Sequence, residues 1–402
     1  MHPQSVGIHK NNNQLNYLTM KLIYISSGDV SVYESQVLEL LAFLKEELDE
    51  VVLLQGYSNE EEKRVLLEKH SRHTQIKTIW FKSYPTYPFY ENKRIKSIYE
   101  ALKQVGGLEN AILHVRSEYT GYILKRTVKK YRLDTPMLID IRGVVYEELK
   151  YKIPLIKGKR KVLSLIQKWY FKKCYCRLFG KDETRIKLSS VSPLINEYIK
   201  KNYPKCNYEM LLHPNITGTL FEYSPEKRMQ IRKQLGYSDK DIVAICSTAG
   251  NAVWQKDYLV VEHLSRMGIK IINLSKNKLN LDNVTTMTVK FTDMPAYLSA
   301  ADIAVLWRDN TFMNNSASPS KFSEFAVMGL YVIHNNSVEN AIRHIKECGS
   351  GILIHDIQEI KELPSAEEFA DKRSEWIKAG KERYSIDVLG RSYIASYKKF
   401  LR

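Results

Sequence analysis

Lys321 and Glu324 stand three residues apart behind Ser318 and Pro319, a spacing that puts an ammonium and a carboxylate on one face of a helix near its start. Pro319 is tolerated in a first turn, and Ser318 is placed to cap it. Gly329 ends the helix, and Leu330 to Ile333 read as a buried strand. A helix N-terminus offers free amides and partial positive charge, so with a lysine it attracts phosphates, while a glutamate one turn on can accept from ribose hydroxyls. The pattern therefore fits a nucleoside diphosphate. The same spacing also describes an amphipathic helix carrying two solvated charges.

Other candidate residues follow apolar runs. Gly250, after Asp241 to Cys246, allows close backbone approach to a ligand, with Asn251 next to it and Lys256 near the following helix start. Arg308 follows the run Asp302 to Leu306 and could enter the same crevice. In the first half, Gly28 follows the first strand, His114 and Arg116 end another, and Asp140, Arg142 and Gly143 end a third. Each can equally be a structural residue. No Walker loop, His-Glu-x-x-His, paired Cys-x-x-Cys or Gly-x-Ser-x-Gly occurs, and Cys174-x-Cys176 has no second pair, so no metal or cofactor is expected.

The elements that must position these groups alternate along the chain. Strands are expected at Lys21 to Ser26, Val51 to Gln55, Ile76 to Phe81, Ala111 to Val115, Met137 to Ile141, Arg185 to Ser190 and Tyr208 to Leu212. The alternation restarts near residue 215, with strands at Asp241 to Cys246, Lys270 to Leu274, Val284 to Val289, Asp302 to Leu306, Leu330 to Ile333 and Gly351 to Ile354. Helical patterns fill the gaps. This predicts an α/β chain of two doubly wound, Rossmann-like domains with a ligand cleft between them. The expected divisions are a disordered leader at 1–19, a first domain at 20–214, a second at 215–380, and a terminal helix at 381–402 that crosses back to the first.

The 402 residues carry 61 Lys and Arg against 45 Asp and Glu, a net charge of +16, which is unevenly distributed. Between Lys150 and Lys187 the acids are Asp182 and Glu183, and apolar residues such as Leu163, Ile166 and Trp169 interleave with the lysines. Such a basic amphipathic stretch suits an anionic membrane surface, nucleic acid, or plain solvent. No nucleic-acid module accompanies it, so nucleic acid is the least favoured. No run approaches the roughly twenty apolar residues needed to span a bilayer. Five scattered cysteines fit a reducing cytoplasm, with peripheral attachment to the inner face of the cell membrane as a further expectation.

Together these motifs resemble glycosyltransferases of the GT-B fold, most closely the retaining family four. Leu212-His-Pro-Asn-Ile-Thr-Gly-Thr-Leu-Phe221 is similar to the interdomain element that opens the donor domain, and Arg232-Lys-Gln-Leu-Gly236 to a helix end of that family. Gly250 to Lys256 resembles its glycine loop and lysine, Ala317 to Ile333 its donor-binding block, and His114-Val-Arg-Ser and Asp140-Ile-Arg-Gly an N-domain pattern. The resemblance implies a nucleotide-diphosphate sugar as donor, transferred with retention and without a metal to a saccharide or polyprenyl-linked acceptor in cell-surface polysaccharide or glycoconjugate assembly. It implies that Glu324 holds the ribose, that Lys256 and the backbone at Ser320 and Lys321 hold the diphosphate, and that His114 orients donor or acceptor. Gly28, Arg116, Asp140 and Arg142 would lie on the acceptor side. Two departures stand out: the family's first glutamate falls on Ser316, and the arginine after the loop glycine is Asn251, whose charge Lys321 or Arg308 would replace. The first departure keeps open a GT-B-fold epimerase or a non-catalytic sugar-nucleotide binder.

Overall fold

The computed structural model describes residues 20–28, 30–180, 185–247, 253–276 and 278–400. The leader expected at 1–19 and the loop residues Gly250 and Asn251 lie outside the described residues. Two parallel sheets form the frame. The first holds β1 (Lys21–Ser27), β2 (Glu50–Tyr57), β3 (Lys77–Lys82), β4 (Ala111–Arg116), β5 (Met137–Ile141), β6 (Ile186–Ser190) and β7 (Met210–Leu212), in the order β3-β2-β1-β4-β5-β6-β7. The second holds β8 (Val243–Cys246), β9 (Lys270–Leu274), β10 (Val284–Met287), β11 (Ile303–Leu306), β12 (Tyr331–His334) and β13 (Gly351–Leu353), in the order β10-β9-β8-β11-β12-β13. Helices cover both faces, which is why the strands are apolar runs without polar alternation: Leu22, Ile23, Tyr24 and Ile25 are all fully buried.

The expected strands each find a counterpart in these sheets, and the architecture is the predicted pair of doubly wound, Rossmann-like units. In the second unit, the helix Ser320–Val327 turns into β12 through Gly329, whose φ is +64°. A Cβ there would stand 2.7 Å from the Arg373 carbonyl oxygen, so only glycine fits both the left-handed backbone and the space.

The chain crosses between the units twice. After β7 it passes through Asn215 to Thr217 into the second unit. At its end the helix Ala366–Tyr384 packs on Ser320–Val327, and the helix Ile386–Lys398 returns to the first unit. There Ile386, Leu389, Tyr393, Ile394 and Tyr397 share a core with Leu22, Tyr24, Ile112 and Leu138. The two crossings are themselves joined. Thr217 N donates to Tyr384 O (2.8 Å) and Ile386 N donates to Thr217 O (2.9 Å), a parallel bridge between Thr217 and Ser385. Gln36 of the first unit fastens the same point, donating to Ile216 O (2.8 Å) and accepting from Ile216 N (3.2 Å).

Candidate functional site

Three strands of the second sheet, β8, β11 and β12, end side by side, and open parallel sheets bind ligands beyond such ends. Lys256 sits just before the helix Asp257–Arg266 and is fixed by its backbone, N to Trp307 O at 2.9 Å. Arg308 follows β11, and Asn335 clamps its backbone from beyond β12, accepting from Arg308 N (3.2 Å) and donating to Arg308 O (2.6 Å). The helix Ser320–Val327 begins at the same edge. Lys321 Nζ lies 2.9 Å from Glu324 Oε2, with the carboxylate buried and the ammonium partly exposed. Burial pushes the Glu324 carboxyl up, and Lys321 opposes that shift. Thus Lys256, Arg308, Lys321 and Glu324 are gathered at one edge.

The entrance to this helix differs from expectation. Ser318 does not cap it; the N-cap position is Pro319, with no side-chain cap. Instead Ser318 Oγ accepts from Asn215 N (3.0 Å), and the Ser318 carbonyl accepts from Asn215 Nδ2. The Asn215 Oδ1 in turn accepts from Arg142 Nη2. A chain of polar contacts therefore runs from the end of β5, through the first crossing, to the start of the lysine–glutamate helix.

Asp257 was not picked out from the sequence, and it is buried beside Lys256. Its Oδ1 accepts from Trp307 N, while Oδ2 has no partner among the described residues. The buried Nε of Arg308 is also without one. Burial raises the Asp257 pKa to about 7, against the opposing pull of Trp307 N–H and Arg308. Burial also lowers the Arg308 pKa, which Asp257 counteracts. An unfolded aspartate titrates near about 3.9. The folded state therefore holds a proton that the unfolded chain releases between about pH 4 and 7, so this contribution to stability is complete below about pH 4 and lost as pH rises through about 7. Asp257→Asn keeps an oxygen for Trp307 N and removes the ionisation. The variant's advantage over wild type is expected to be larger at pH 8 than at pH 5 by on the order of 1–3 kcal/mol, read from melting curves at both pH values. No gain at pH 8 would remove the assignment.

The first-sheet candidates are placed differently from one another. Gly28 follows β1 with φ +81° and is exposed. His114 is fully buried, its ring 4.4 Å from that of Tyr24 and 5.4 Å from that of Tyr393. Its Nδ1 is 2.6 Å from Tyr397 Oη, and its Nε2 is 3.7 Å from Asp140 Oδ2. Burial lowers its pKa, with Asp140 opposing. His114 thus lies beneath the returning helix Ile386–Lys398, whose Tyr397 it bonds. Arg116 and Asp140 lie in the same covered layer. Burial alone would raise the Asp140 carboxyl, but Arg142, His114 and Arg116 outweigh it and hold it well below the usual carboxylate range. Arg142 bonds both Asp140 oxygens, at 3.3 and 3.1 Å, and is the member of the layer that reaches the crossing.

Ser316, at the position of the missing glutamate, is buried and donates from Oγ to Phe312 O (2.8 Å). Among the described residues no cluster of three or more His, Cys, Asp or Glu side chains is arranged to hold a metal ion.

No protein-family profile matches this sequence, and no curated protein sequence matches it. Solved structures do. A glycosyltransferase from Rickettsia africae superposes with a TM-score of 0.68 at 15% identity, over 96% of this chain and 100% of that one. Sucrose-phosphate synthase from Thermosynechococcus elongatus gives 0.67 at 12%, over 95% and 99%. HepE from Anabaena, in complex with UDP-glucose, gives 0.63 at 11%, over 94% and 100%. At these identities the likeness establishes the fold: two Rossmann-like units of the GT-B type.

Proposed function

We propose that this chain moves a glycosyl group from a nucleotide-diphosphate sugar to an acceptor hydroxyl, with retention and without a metal ion, in cytoplasmic assembly of a cell-surface polysaccharide or glycoconjugate. The observation that carries the reading is the second-sheet edge, where Lys321 pairs with the buried Glu324 at a helix start and Lys256 and Arg308 follow β8 and β11 at the same end of the sheet. The GT-B fold and the UDP-glucose complex of a similarly folded protein support it.

In this reading Glu324 accepts from the ribose hydroxyls, and the amides at Ser320 and Lys321 face the diphosphate. As the glycosidic bond breaks, negative charge grows on the leaving diphosphate. Lys256 and Lys321, with the helix N-terminus, stabilise that charge, and Arg308 adds a buried positive charge behind them. Ser316 offers no carboxylate, and its hydroxyl is held by the Phe312 carbonyl. Attack on the same face, with the departing phosphate taking the acceptor proton, needs no enzyme nucleophile.

A calorimetric panel of nucleotides and sugar nucleotides tests the donor site. One member is expected to bind, and Glu324→Ala and Lys256→Ala should each weaken it by about tenfold to a hundredfold, the scale of a charge-assisted hydrogen bond. Wild-type affinity in both variants would sink the site. Ser316 also favours a second reading, epimerisation of the bound sugar or simple binding. Following the labelled sugar of the donor that binds separates these: transfer to an added acceptor supports the first reading, and a change at one sugar carbon without transfer supports the second.

A further inference from the structure

The helix Lys159–Phe179 is packed along only half its length. From Tyr170 onward it buries Phe171, Cys174, Tyr175 and Leu178 in the core of the first unit. Before that point it projects, and Val162, Leu163, Leu165, Ile166 and Trp169 are all exposed, Val162 by 58% and Trp169 by 52%. The two apolar sets do not share a face. Val162, Leu165 and Trp169 precede Phe171, Cys174 and Leu178 by nine residues each, and nine residues are about two and a half turns. The exposed stripe therefore points directly away from the packed one, so the fold of the unit does not account for it.

Charge surrounds this stripe on the same half-helix. Lys159, Arg160, Lys161 and Lys168 lie among its apolar residues, Lys172 and Lys173 follow, and residues 157–180 contain no acid. Lys173 Nζ sits 3.8 Å from the centre of the Trp169 ring. A second patch adjoins it. Gln167 donates to Thr86 Oγ1, in the loop after β3, and the same loop shows Phe89, 64% exposed, stacked on Tyr87 at 5.5 Å. Lys93 lies 5.7 Å from the Tyr90 ring. Aromatic rings, aliphatic side chains and lysines on one surface match the layers of a lipid headgroup region, where rings sit at the interface and ammonium groups meet lipid phosphates.

We propose that the projecting half of this helix and the loop around Phe89 form a docking surface for an anionic lipid bilayer. No helix among the described residues is long and apolar enough to cross a membrane, so attachment through this surface would be peripheral. The surface follows a junction between the two units. The helix Val145–Lys152, which leads into it, reaches the second unit: Tyr151 Oη donates to Asp309 Oδ2, and Lys152 Nζ lies 5.1 Å from the Trp254 ring centre. Docking would bring this junction of the two units down to the lipid headgroups, so an acceptor held beside it would be anchored in that lipid. Lipid docking itself does not depend on the proposed sugar transfer.

Flotation of the full chain with vesicles tests this. Wild type should float with phosphatidylcholine vesicles containing about one third phosphatidylglycerol at low salt, and lose most of that binding at about 0.5 M NaCl or with pure phosphatidylcholine. The triple change Val162→Ser, Ile166→Ser and Trp169→Ser, and separately Lys159→Glu, Arg160→Glu and Lys161→Glu, should each reduce partitioning by about tenfold or more with the melting temperature unchanged. Absence of flotation at low salt would overturn the proposal. So would equal binding of both triple variants, or concentration-dependent self-association that the serine triple abolishes while wild type ignores vesicles.

Discussion

Arg142→Met is expected to lower the unfolding free energy by about 3–5 kcal/mol, the range for removing one partner of a buried ion pair. Asp140 is fully buried, and the Arg142 guanidinium is bonded to it, with the Arg116 charge also nearby. The same guanidinium donates to His213 O (3.2 Å), Tyr393 Oη (3.4 Å) and Asn215 Oδ1. Methionine fills similar volume and supplies none of these bonds. His114 cannot take over, because its burial favours the neutral ring. Asp140 would lose the largest charge that holds it ionised, and its pKa should rise. In wild type the depressed pKa contributes stability above the unfolded value of about 3.9, lost as pH falls below it. The variant should show a smaller acid limb. Urea titrations at pH 7 and at about pH 2.5, inside the acid window, measure both effects, and pairing Arg142→Met with Asp140→Leu should recover part of the loss. A single variant within about 0.5 kcal/mol of wild type would show that the ion pair contributes nothing.

Asp302→Ala should cost a similar amount, about 3–5 kcal/mol, with a different functional outcome. Asp302 is buried at the start of β11 and is ringed by arginines. Oδ1 accepts from Arg228 Nη2 and Oδ2 from Arg232 Nη2, each at 2.7 Å, and Arg373 Nη2 lies 3.5 Å from Oδ1. Oδ2 also accepts from Val243 N (2.9 Å), which fastens β8 to β11 at their starting ends. Arg232 is itself buried, so alanine would leave a guanidinium without its counter-charge inside the second unit. This cluster sits at the opposite end of the strands from Lys256 and Glu324. The folded fraction should therefore bind the donor with wild-type affinity while melting earlier. A large loss of affinity at a temperature where the variant is folded would contradict that separation.

Fold and site were legible to different degrees. Strands such as Leu22–Ile25 and Ile303–Leu306 are apolar runs because both faces of a parallel sheet are covered, and periodicity reads that directly. The helix Ser320–Val327 was legible from Pro319 and Gly329, since both act through local backbone geometry. What the sequence did not show was the setting of the polar residues at strand ends. His114, Asp140 and Arg142 have the types and positions of ligand groups, and which strand ends face a cleft depends on a helix some 250 residues later in the chain. That helix was visible through Leu389, Ile394 and its tyrosines, but the tyrosine hydroxyls meeting His114 and Arg142 were not. Asp257 escaped notice for a related reason: an aspartate at a helix start is ordinary, and burial alone makes it unusual. In the basic segment composition was legible, whereas the division into a packed half and a projecting half required knowing what lies beneath it.

The paired crossings at Thr217 and Ser385 have a mechanical consequence. A single connecting strand can twist freely about its own bonds, so two bodies joined by one may rotate against each other in any sense. Two strands laced by Thr217 N–Tyr384 O and Ile386 N–Thr217 O form a ribbon, and a ribbon folds across its width far more readily than it shears or twists. Relative motion of the two sheets is thereby reduced towards a single angle, like the cover of a book about its spine. Any site divided between the two sheets would open and shut along a repeatable arc and return to the same register of facing residues each time.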